Sequence, residues 1–350
     1  MLVSDFNFDL PEELIAQEAR PRGESRLLVV RRDTGTWEDA AIADLPRLLT
    51  AGDLVVANDT RVFPARLLGR RDPSGGAVEC LLLGPGEGNE REALVHPGQK
   101  LKAGARMVFE APDRAPGVRL LAEVLERRYF GRRVLRFDVD GASSLDAAVD
   151  LVGHVPLPPY IHRADTAADR DRYQTIFATD RGSVAAPTAG LHFDAGLVGA
   201  IRAAGIGWAT ITLHVGYGTF KPVRVDRVED HRVDPENFTI SPDASDAIRA
   251  AHDGRHRVVA VGTTTTRALE TAADGTGGVR PESAISDLFI HAGHRFSVVD
   301  ALLTNFHLPR SSLLMLVSAF AGRELTLAAY RHAVAERYRF YSYGDAMLIL

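Results

Sequence analysis

Short apolar runs that end in polar turns recur along much of the chain. Residues 54–57 form the first clear case, because four apolar residues in a row predict a buried strand. This strand delivers four polar residues at its end, Asn58, Asp59, Thr60 and Arg61. Upstream of this strand, an aspartate is followed two residues later by a proline at 9–12 and again at 44–46. This pattern predicts that a helix begins at each of these places.

Three later segments share one design, in which an apolar run leads through a polar turn into a helix. These are residues 183–205, 258–270 and 301–311. In α/β proteins, ligands bind where the carboxyl ends of strands meet the amino ends of helices, since unpaired N–H groups point there. Several such turns with uncharged polar residues and histidines therefore predict one shared pocket.

Between about residues 65 and 150 the pattern changes to short strands separated by turn clusters, which predicts a small β-barrel or sandwich. Four apolar runs carry this pattern: 78–83, 106–109, 120–124 and 134–139. The predicted fold is an α/β (or α+β) main domain with a mixed sheet and helices, formed by residues 1–63 and 152–350. An inserted small β-barrel domain takes up residues 64–151.

The composition is that of an ordinary globular protein, with 45% hydrophobic and 25% charged residues in 350. The single cysteine, Cys80, excludes an internal disulfide and a cysteine-based metal cage. A net charge of −5 argues against nonspecific coating of nucleic acid but permits a local basic patch. We see no export signal and no apolar run near the ~20 residues of a membrane span, so we expect a cytoplasmic protein without membrane contact.

The polar turns belong to longer segments whose sequences are distinctive. The segments are 8–17, 52–61, 64–66, 154–161, 173–174, 182–193, 212–220, 262–264, 303–309 and 338–345. On these segments the chain resembles the S-adenosylmethionine:tRNA ribosyltransferase-isomerases. One stretch departs from the family pattern, because residues 232–235 stand where a methionine–histidine pair is expected before Glu236. The insert matches poorly.

The resemblance implies an unusual transfer reaction in queuosine biosynthesis. The ribosyl part of S-adenosylmethionine, the co-substrate, moves onto 7-aminomethyl-7-deazaguanine at the tRNA wobble position and rearranges, giving epoxyqueuosine-tRNA, adenine and methionine. Such a site needs a base near the carbon beside the sulfonium, a proton donor for adenine and a neutral amine nucleophile. Hydrogen bonds must support oxygens that gain charge. No metal is expected.

Four residues in the matched segments are candidates for catalysis. His192, His214 and His307 are candidates because histidine titrates near neutrality. Asp59 could hold the ribose hydroxyls, the sulfonium or the amine. Each also has a structural alternative: a histidine that only packs, or an aspartate that caps a helix or pairs with Arg61. The sequence does not assign the acid and the base among them.

Two arginines, Arg61 and Arg267, are candidates to clamp the methionine carboxylate or an RNA phosphate, and a structural salt bridge is the alternative for each. Small polar and aromatic residues complete the candidates for binding substrate or S-adenosylmethionine: Thr60, Thr188, Thr219, Thr263, Thr264, Asn305, Tyr343 and Asp345. The threonines could equally be strand formers, and Asn305 could only bond its own backbone. For Tyr343 and Asp345 we favour a site wall over a strand cap.

For RNA, the candidate surface is the segment 127–133, where two arginine pairs flank two aromatic residues and a glycine, as on a hairpin. The four arginines could contact phosphates while the aromatic rings stack on unpaired bases. The alternative is an arginine-rich hairpin whose aromatic residues pack in the β core. The candidates are Arg127, Arg128, Arg132 and Arg133.

Several rival interpretations are weaker. The glycines at 84–88 imitate a Rossmann loop but open no helix, and the histidine pairs at 252–256 and 291–294 have no organised third ligand. Two rival functions stay open: a paralogue that modifies a small-molecule amine, favoured by the variant segment before Glu236, and an RNA-binding protein with a decayed pocket. The partner expected is tRNA, and the protein is expected to be a monomer or a weak dimer.

Overall fold

A computed structural model describes the backbone of residues 1–350 and every side chain except that of Phe130. Within this description the backbone forms seventeen strands and eight α-helices. The strands are β1 (Arg26–Arg31), β2 (Thr36–Ala41), β3 (Leu54–Asn58), β4 (Thr60–Val62), β5 (Arg66–Asp72), β6 (Ala77–Leu82), β7 (Glu90–His96), β8 (Arg106–Glu110), β9 (Arg119–Arg127), β10 (Arg132–Asp140), β11 (Asp180–Ser183), β12 (Gly207–Leu213), β13 (Glu236–Thr239), β14 (Val258–Val261), β15 (Ser283–Ser286), β16 (Ala301–Asn305) and β17 (Ala346–Ile349). The helices are α1 (Leu45–Leu48), α2 (Leu145–Val152), α3 (Ala167–Arg172), α4 (Ala195–Ala203), α5 (Pro242–Asp253), α6 (Thr263–Thr271), α7 (Ser312–Ala321) and α8 (Arg323–Ala335).

Nine strands form one large mixed sheet in the order β15-β13-β12-β3-β14-β16-β17-β1-β2. Its centre, β12-β3-β14-β16, is parallel throughout. Every residue of β3, β14 and β16 is buried, because helices and loops cover both faces of the sheet. The mixed α/β fold predicted from the sequence is confirmed. Since the four central strands run the same way, their carboxyl ends meet at one edge.

The other large unit of structure lies between β4 and α3. Strands β5 to β10 are joined by antiparallel pairs and close into a barrel in the order β10-β7-β6-β5-β8-β9. Its core contains Met107, Phe109 and Phe137, and α2 packs one face against it. Strands β5 and β7 were not predicted, since charged residues interrupt their sequences and leave only short apolar stretches.

Two local predictions are corrected by the structure. The helix expected at 9–12 is only a short 3₁₀ turn, Glu12–Leu14, because the chain then extends to pair with Phe340 through Ile15. In the 183–193 segment, the strand ends at Ser183 and a second 3₁₀ turn, Thr188–His192, replaces the expected extended run. Helix α4 then begins as predicted, with the Asp194 carboxylate accepting a bond from Leu197 N at 2.7 Å.

Helices α7 and α8 follow β16 and are separated by Gly322, whose φ of +88° favours glycine. Among the described residues, no single helix is both long and apolar enough to cross a membrane. The two helices would have the length and composition only as a pair, and they meet at a bend of 115°.

Asp345 ties the C-terminal strand β17 to the start of β1. Its fully buried carboxylate accepts hydrogen bonds from the backbone N–H of Arg26 at 3.0 Å and of Arg339 at 2.8 Å. Arg20 Nε lies 3.5 Å away. The sequence favoured a site wall for this residue. The structure places it inside the fold, where its carboxylate satisfies these two backbone donors.

We predict that Asp345→Ala lowers the free energy of unfolding by about 3 kcal/mol, since two buried N–H groups lose a charged acceptor. Urea denaturation of the two proteins would measure the loss. Asp113→Ala, at an exposed barrel loop, is the control and should change stability by less than about 0.5 kcal/mol. Equal stability of the Asp345 and Asp113 variants would contradict the structural role.

Candidate active site

A narrow cavity lies where the carboxyl ends of β12, β14 and β16 meet. Its walls come from the turns that follow these strands, from residues 186–189, and from the rings of Tyr160 and Tyr341. Six of the predicted site residues line it: Thr188, Thr219, Thr263, Thr264, Asn305 and His307. The cavity has a volume of about 40 Å³, which is room for only a few water molecules.

Asn305, the last residue of β16, is held on three sides. Its Nδ2 donates to His192 Nε2 and to the Tyr341 carbonyl, each at 3.1 Å. Its Oδ1 accepts from Thr188 Oγ at 3.2 Å. The side chain therefore bonds two separate segments, the Thr188–His192 turn and the loop at Tyr341, and not its own backbone. Because the Thr188 hydroxyl gives its proton to Asn305, its lone pairs remain available to accept a bond from a ligand.

His192 lies behind Asn305 and does not line the cavity. Since Nε2 accepts from Asn305, the proton of the neutral ring is on Nδ1, which donates to Ser25 Oγ at 2.8 Å. Burial lowers the pKa of His192 to about 4, and the positive charge of Arg172 contributes. A protonated ring would turn Nε2 into a donor facing the Asn305 donor. The geometry therefore suits a neutral positioning residue.

His307 does line the cavity. Its Nε2 lies 2.9 Å from Thr304 Oγ1, and its backbone N–H donates to the Tyr330 hydroxyl at 3.0 Å. Burial lowers the pKa of His307 to about 3, so the imidazole is neutral at pH 7. Of the four predicted catalytic residues, it is the one whose side chain reaches the cavity.

The amino end of α6 forms one wall. Gly262 precedes it with φ of +91°, a conformation that side chains disfavour, and no side chain caps the helix. The hydroxyls of Thr265 and Thr266 donate to the carbonyls of Val261 and Gly262, just before the helix. The first N–H groups of α6 and the hydroxyls of Thr263 and Thr264 are thus left at the cavity side, where the helix dipole favours negative charge.

Aromatic rings close the cavity and were not among the predicted site residues. The rings of Tyr160 and Tyr341 meet edge to face with centroids 4.0 Å apart, and the Tyr160 hydroxyl bonds Ser342. Phe220, in the 3₁₀ turn Tyr217–Phe220, lies against Tyr160. Burial raises the pKa of Tyr160 and Tyr341 well above the ordinary tyrosine value, so both hydroxyls stay protonated. Tyr160, Phe220 and Tyr341 all lie in the segments on which the family resemblance rests, and this was the one feature of the sequence that could have indicated them.

Asp59 and His214 form a second cluster that does not line the cavity. Asp59 accepts from Thr212 Oγ1 at 2.7 Å, and burial, together with the nearby charge of Asp180, raises its pKa. His214 Nδ1 lies 2.8 Å from the Thr60 hydroxyl, and burial lowers its pKa.

The directions in which the side chains point at the end of β3 explain why Asp59 lies outside the cavity. Asn58, the last residue of β3, faces α6: it bonds Leu213 and lies 3.5 Å from Thr264, which lines the cavity. Because successive side chains of an extended segment point to opposite sides, Asp59 faces away. Arg61 follows as an exposed residue of β4.

Arg267 takes part in a buried ion pair. It donates to Glu236 Oε2 at 2.8 Å and to the Leu288 carbonyl at 3.1 Å. Glu236 Oε1 accepts from Gly216 N at 2.9 Å, directly before the Tyr217–Phe220 turn. The pair therefore anchors the base of this turn to α6, and Arg267 lines a neighbouring cavity.

Tyr343 donates to Asp169 at 2.9 Å, and Asp169 is also paired with Arg163 at 2.7 Å. Burial alone would raise the pKa of Asp169, but the Arg163 guanidinium and the hydroxyls of Thr166 and Tyr343 lower it well below the usual range. Tyr343 thus holds α3 through Asp169 and does not line the cavity.

The 127–133 segment forms the tip of the β9–β10 hairpin, and the side chain of Phe130 lies outside the described residues. Arg127 and Arg128 are exposed, and Arg132 is partly buried. Arg133 is corrected as an RNA candidate. It is 1% exposed, and its guanidinium donates to the carbonyls of Leu101, Gly98 and Arg132.

The fold and the cavity define a class: an α/β protein with a small-molecule site at the carboxyl ends of parallel strands. Residues 3–349 match the model of the queuosine biosynthesis protein family. The chain belongs to this family.

The similarity to known proteins covers the whole chain. It is 50% identical over 351 residues to the S-adenosylmethionine:tRNA ribosyltransferase-isomerase of Symbiobacterium thermophilum, with 100% of both chains covered. It is 51% identical over 369 residues to the protein of that name from Solibacter usitatus, again with 100% of both covered. The crystal structure of S-adenosylmethionine tRNA ribosyltransferase from Thermotoga maritima has a TM-score of 0.54 and 36% identity, covering 99% of this chain and 100% of that one.

The neutral His192 predicts a pH dependence of stability. Above pH 6.5 the ring is neutral in both states and its contribution to stability is complete. As the pH falls from 6.5 to about 4, only the unfolded chain takes up the proton, so stability is lost. We predict that His192→Gln reduces the slope of unfolding free energy against pH by about 1.4 kcal/mol per unit between pH 6 and 4. Urea denaturation at pH 6, 5 and 4 measures both slopes, and identical slopes would exclude a neutral buried His192.

Proposed function

We propose that this chain transfers and isomerises the ribosyl group of S-adenosylmethionine onto 7-aminomethyl-7-deazaguanine at the tRNA wobble position. The products are epoxyqueuosine-tRNA, adenine and methionine. The observation that carries the proposal is identity near 50% over the full length of relatives that bear this enzyme's name. The cavity supports it, because the turns that build it are those on which the family resemblance rests.

The charge of the cavity suits a sulfonium. No lysine or arginine occurs among the described residues that line it, and its one histidine is neutral at pH 7. The rings of Tyr160, Phe220 and Tyr341 present π systems, which attract cations. Thr188, Thr263 and Thr264 supply hydroxyls for the ribose. The amino end of α6 favours a carboxylate or an oxygen that gains negative charge, and we place the methionine carboxylate there.

We assign His307 to proton transfer. Among the described lining residues it alone offers a basic nitrogen lone pair, since Tyr160 and Tyr341 remain protonated and a neutral hydroxyl is a poor base. The sulfonium acidifies the neighbouring carbon, and a carboxylate bound nearby would raise the pKa of His307 toward the working range. His192 is assigned to positioning, through Asn305. Asp59 and His214 keep a proposed role outside this cavity, toward the amine or the RNA.

Binding requires the walls to separate. The cavity volume of about 40 Å³ is far below the roughly 300–1,000 Å³ of a typical small-molecule site. The Tyr217–Phe220 turn is the wall most suited to move, because none of its four residues is buried. Its base stays fixed through Gly216 and the Glu236–Arg267 pair.

We further infer that residues 64–151 form an inserted barrel domain, supported by the closed strand order and by a hydrophobic core largely of its own. The exposed arginines of the hairpin, Arg127 and Arg128, and the partly buried Arg132 are proposed phosphate contacts. We propose that the protein works as a monomer or weak dimer. Because tRNA is the substrate, we place the reaction in the cytoplasm.

The function is tested by incubating the protein with S-adenosylmethionine and one of three acceptors: tRNA bearing the aminomethyl precursor, tRNA with guanine at the wobble position, or the free precursor base. We predict that adenine is released only with the precursor-bearing tRNA, because only this acceptor presents the amine nucleophile on a bound RNA. Chromatography of released adenine and of tRNA nucleosides measures the result. Equal release with the free base, or none with any acceptor, would contradict the proposal.

His307→Gln tests the proton-transfer role. Glutamine keeps a polar side chain of similar reach but lacks a basic nitrogen, so we predict that kcat for adenine release falls by about 10²- to 10⁴-fold. KM for S-adenosylmethionine should change little. His332→Gln is the matched control, since His332 lies on α8 against Trp37, away from the cavity. A His307 variant with the kcat of the control would remove this residue from the mechanism.

A further inference from the structure

A wide groove separates the barrel hairpin from the main domain. One wall is the tip of the β9–β10 hairpin, and the other is the segment 221–234. The groove has a volume of about 900 Å³, more than twenty times that of the cavity. It reaches Phe220, which also lines the cavity, so the Tyr217–Phe220 turn is the partition between the two.

The groove is positively charged although the chain is not. Among the described residues five arginines and lysines line it against three aspartates and glutamates, a local difference of +2 on a chain with net charge −5. Both walls contribute, because Arg128 and Arg132 are on the hairpin and three basic residues are on the opposite segment: Lys221, Arg224 and Arg232.

The basic residues differ in how strongly they are neutralised. Arg132 and Lys221, from opposite walls, both contact the Asp234 carboxylate, at 3.5 and 2.5 Å. Arg224 and Arg232 are exposed, and neither is within salt-bridge distance of a carboxylate of the described chain; Arg232 donates only to the carbonyls of Glu229 and His231. Their guanidinium groups are therefore available to an external anion.

An exposed aromatic ring stands at the top of the hairpin wall. Tyr129 is 87% exposed, the most exposed large hydrophobic side chain among those described, and it lies between Arg128 and Arg132. A fully exposed ring is a poor contributor to folding, whereas a ring flanked by arginines is a typical stacking platform for unpaired bases.

From these features we propose that the groove holds the single-stranded RNA on either side of the modified nucleotide. The two walls contact its phosphates from opposite sides, Tyr129 stacks on an adjacent unpaired base, and the wobble nucleotide enters past the Tyr217–Phe220 turn. The segment 221–232, which the sequence did not indicate, is half of this site. The inference rests on the proposed function, because it takes tRNA as the substrate.

The test removes the charges of the second wall. In the variant Lys221→Ala/Arg224→Ala/Arg232→Ala, Kd for precursor-bearing tRNA should rise about tenfold or more, and the slope of log Kd against log salt should fall by about 2. The matched control is Arg31→Ala/Arg47→Ala/Arg202→Ala. This control also removes three positive charges, at Arg47 before β3, at Arg202 before β12 and at Arg31, which ends β1. These positions lie at the edge of the sheet opposite the groove. Kd for tRNA and the salt slope should therefore stay near the wild-type values.

Tyr129 tests the stacking contact separately. Tyr129→Ala should weaken tRNA binding about tenfold, and Tyr129→Phe should restore it, since stacking needs the ring and not the hydroxyl. Neither the alanine variant nor the triple variant should change KM for S-adenosylmethionine or kcat at saturating tRNA. Thermal unfolding at the wild-type midpoint shows that both are folded.

Failure of the groove proposal and failure of the proposed function would give different results. If wild-type protein releases adenine with precursor-bearing tRNA but the triple variant keeps wild-type Kd and salt slope, the groove is overturned and the function stands. If wild-type protein binds this tRNA but releases no adenine, the function fails, while the Kd and salt slope still decide the groove. A triple variant no weaker than its charge-matched control, or a Tyr129→Phe variant as weak as Tyr129→Ala, would also count against it.

Discussion

The side-chain amide of Asn305 is the interaction on which the cavity depends. It joins the end of β16, the Thr188–His192 turn and the loop at Tyr341, three segments far apart in sequence. Each bond has a fixed direction, so the amide can satisfy all three only in one orientation. That orientation requires an acceptor at His192 Nε2, which a neutral ring provides. His192 does not line the cavity, but its low pKa keeps the ring neutral. The neutral ring holds Asn305 in the orientation on which the shape of the cavity depends.

The fold separates two electrostatic environments that the proposed reaction needs close together. A sulfonium is bound best where cations are absent, and the cavity walls hold uncharged hydroxyls, amides and rings. An RNA backbone is bound best by arginine and lysine, which line the adjacent groove. Placing these cations beside the sulfonium would cost binding energy in a low-dielectric site. The 3₁₀ turn Tyr217–Phe220 between the two regions keeps the charges apart.

The sequence predicted the parallel strands and the turns after them because both depend on local patterns. Residues 54–57, 258–261 and 301–303 are unbroken apolar runs, and a turn after such a strand lies at the carboxyl edge wherever the strand is placed. Which side of that edge a side chain faces depends on a single residue of register, so Asn58 and not Asp59 lies against Thr264 in the cavity wall. Burial is also nonlocal: Arg133 looks like its exposed neighbours in the sequence, yet carbonyls of a distant loop bind it. The family segments contained Tyr160, Phe220 and Tyr341, but nothing in their sequence ranked these rings above the histidines.

The buried Arg267–Glu236 pair gains its meaning from the turn that it holds. A buried ion pair adds little net stability by itself, since desolvation offsets most of the attraction. Here the second carboxylate oxygen accepts from Gly216, so the pair links α6, whose amino end is one wall of the cavity, to the start of the opposite wall. Any displacement of Tyr217–Phe220 must then begin after Gly216. Because this turn borders both the cavity and the groove, S-adenosylmethionine in the one and RNA in the other would act on the same four residues.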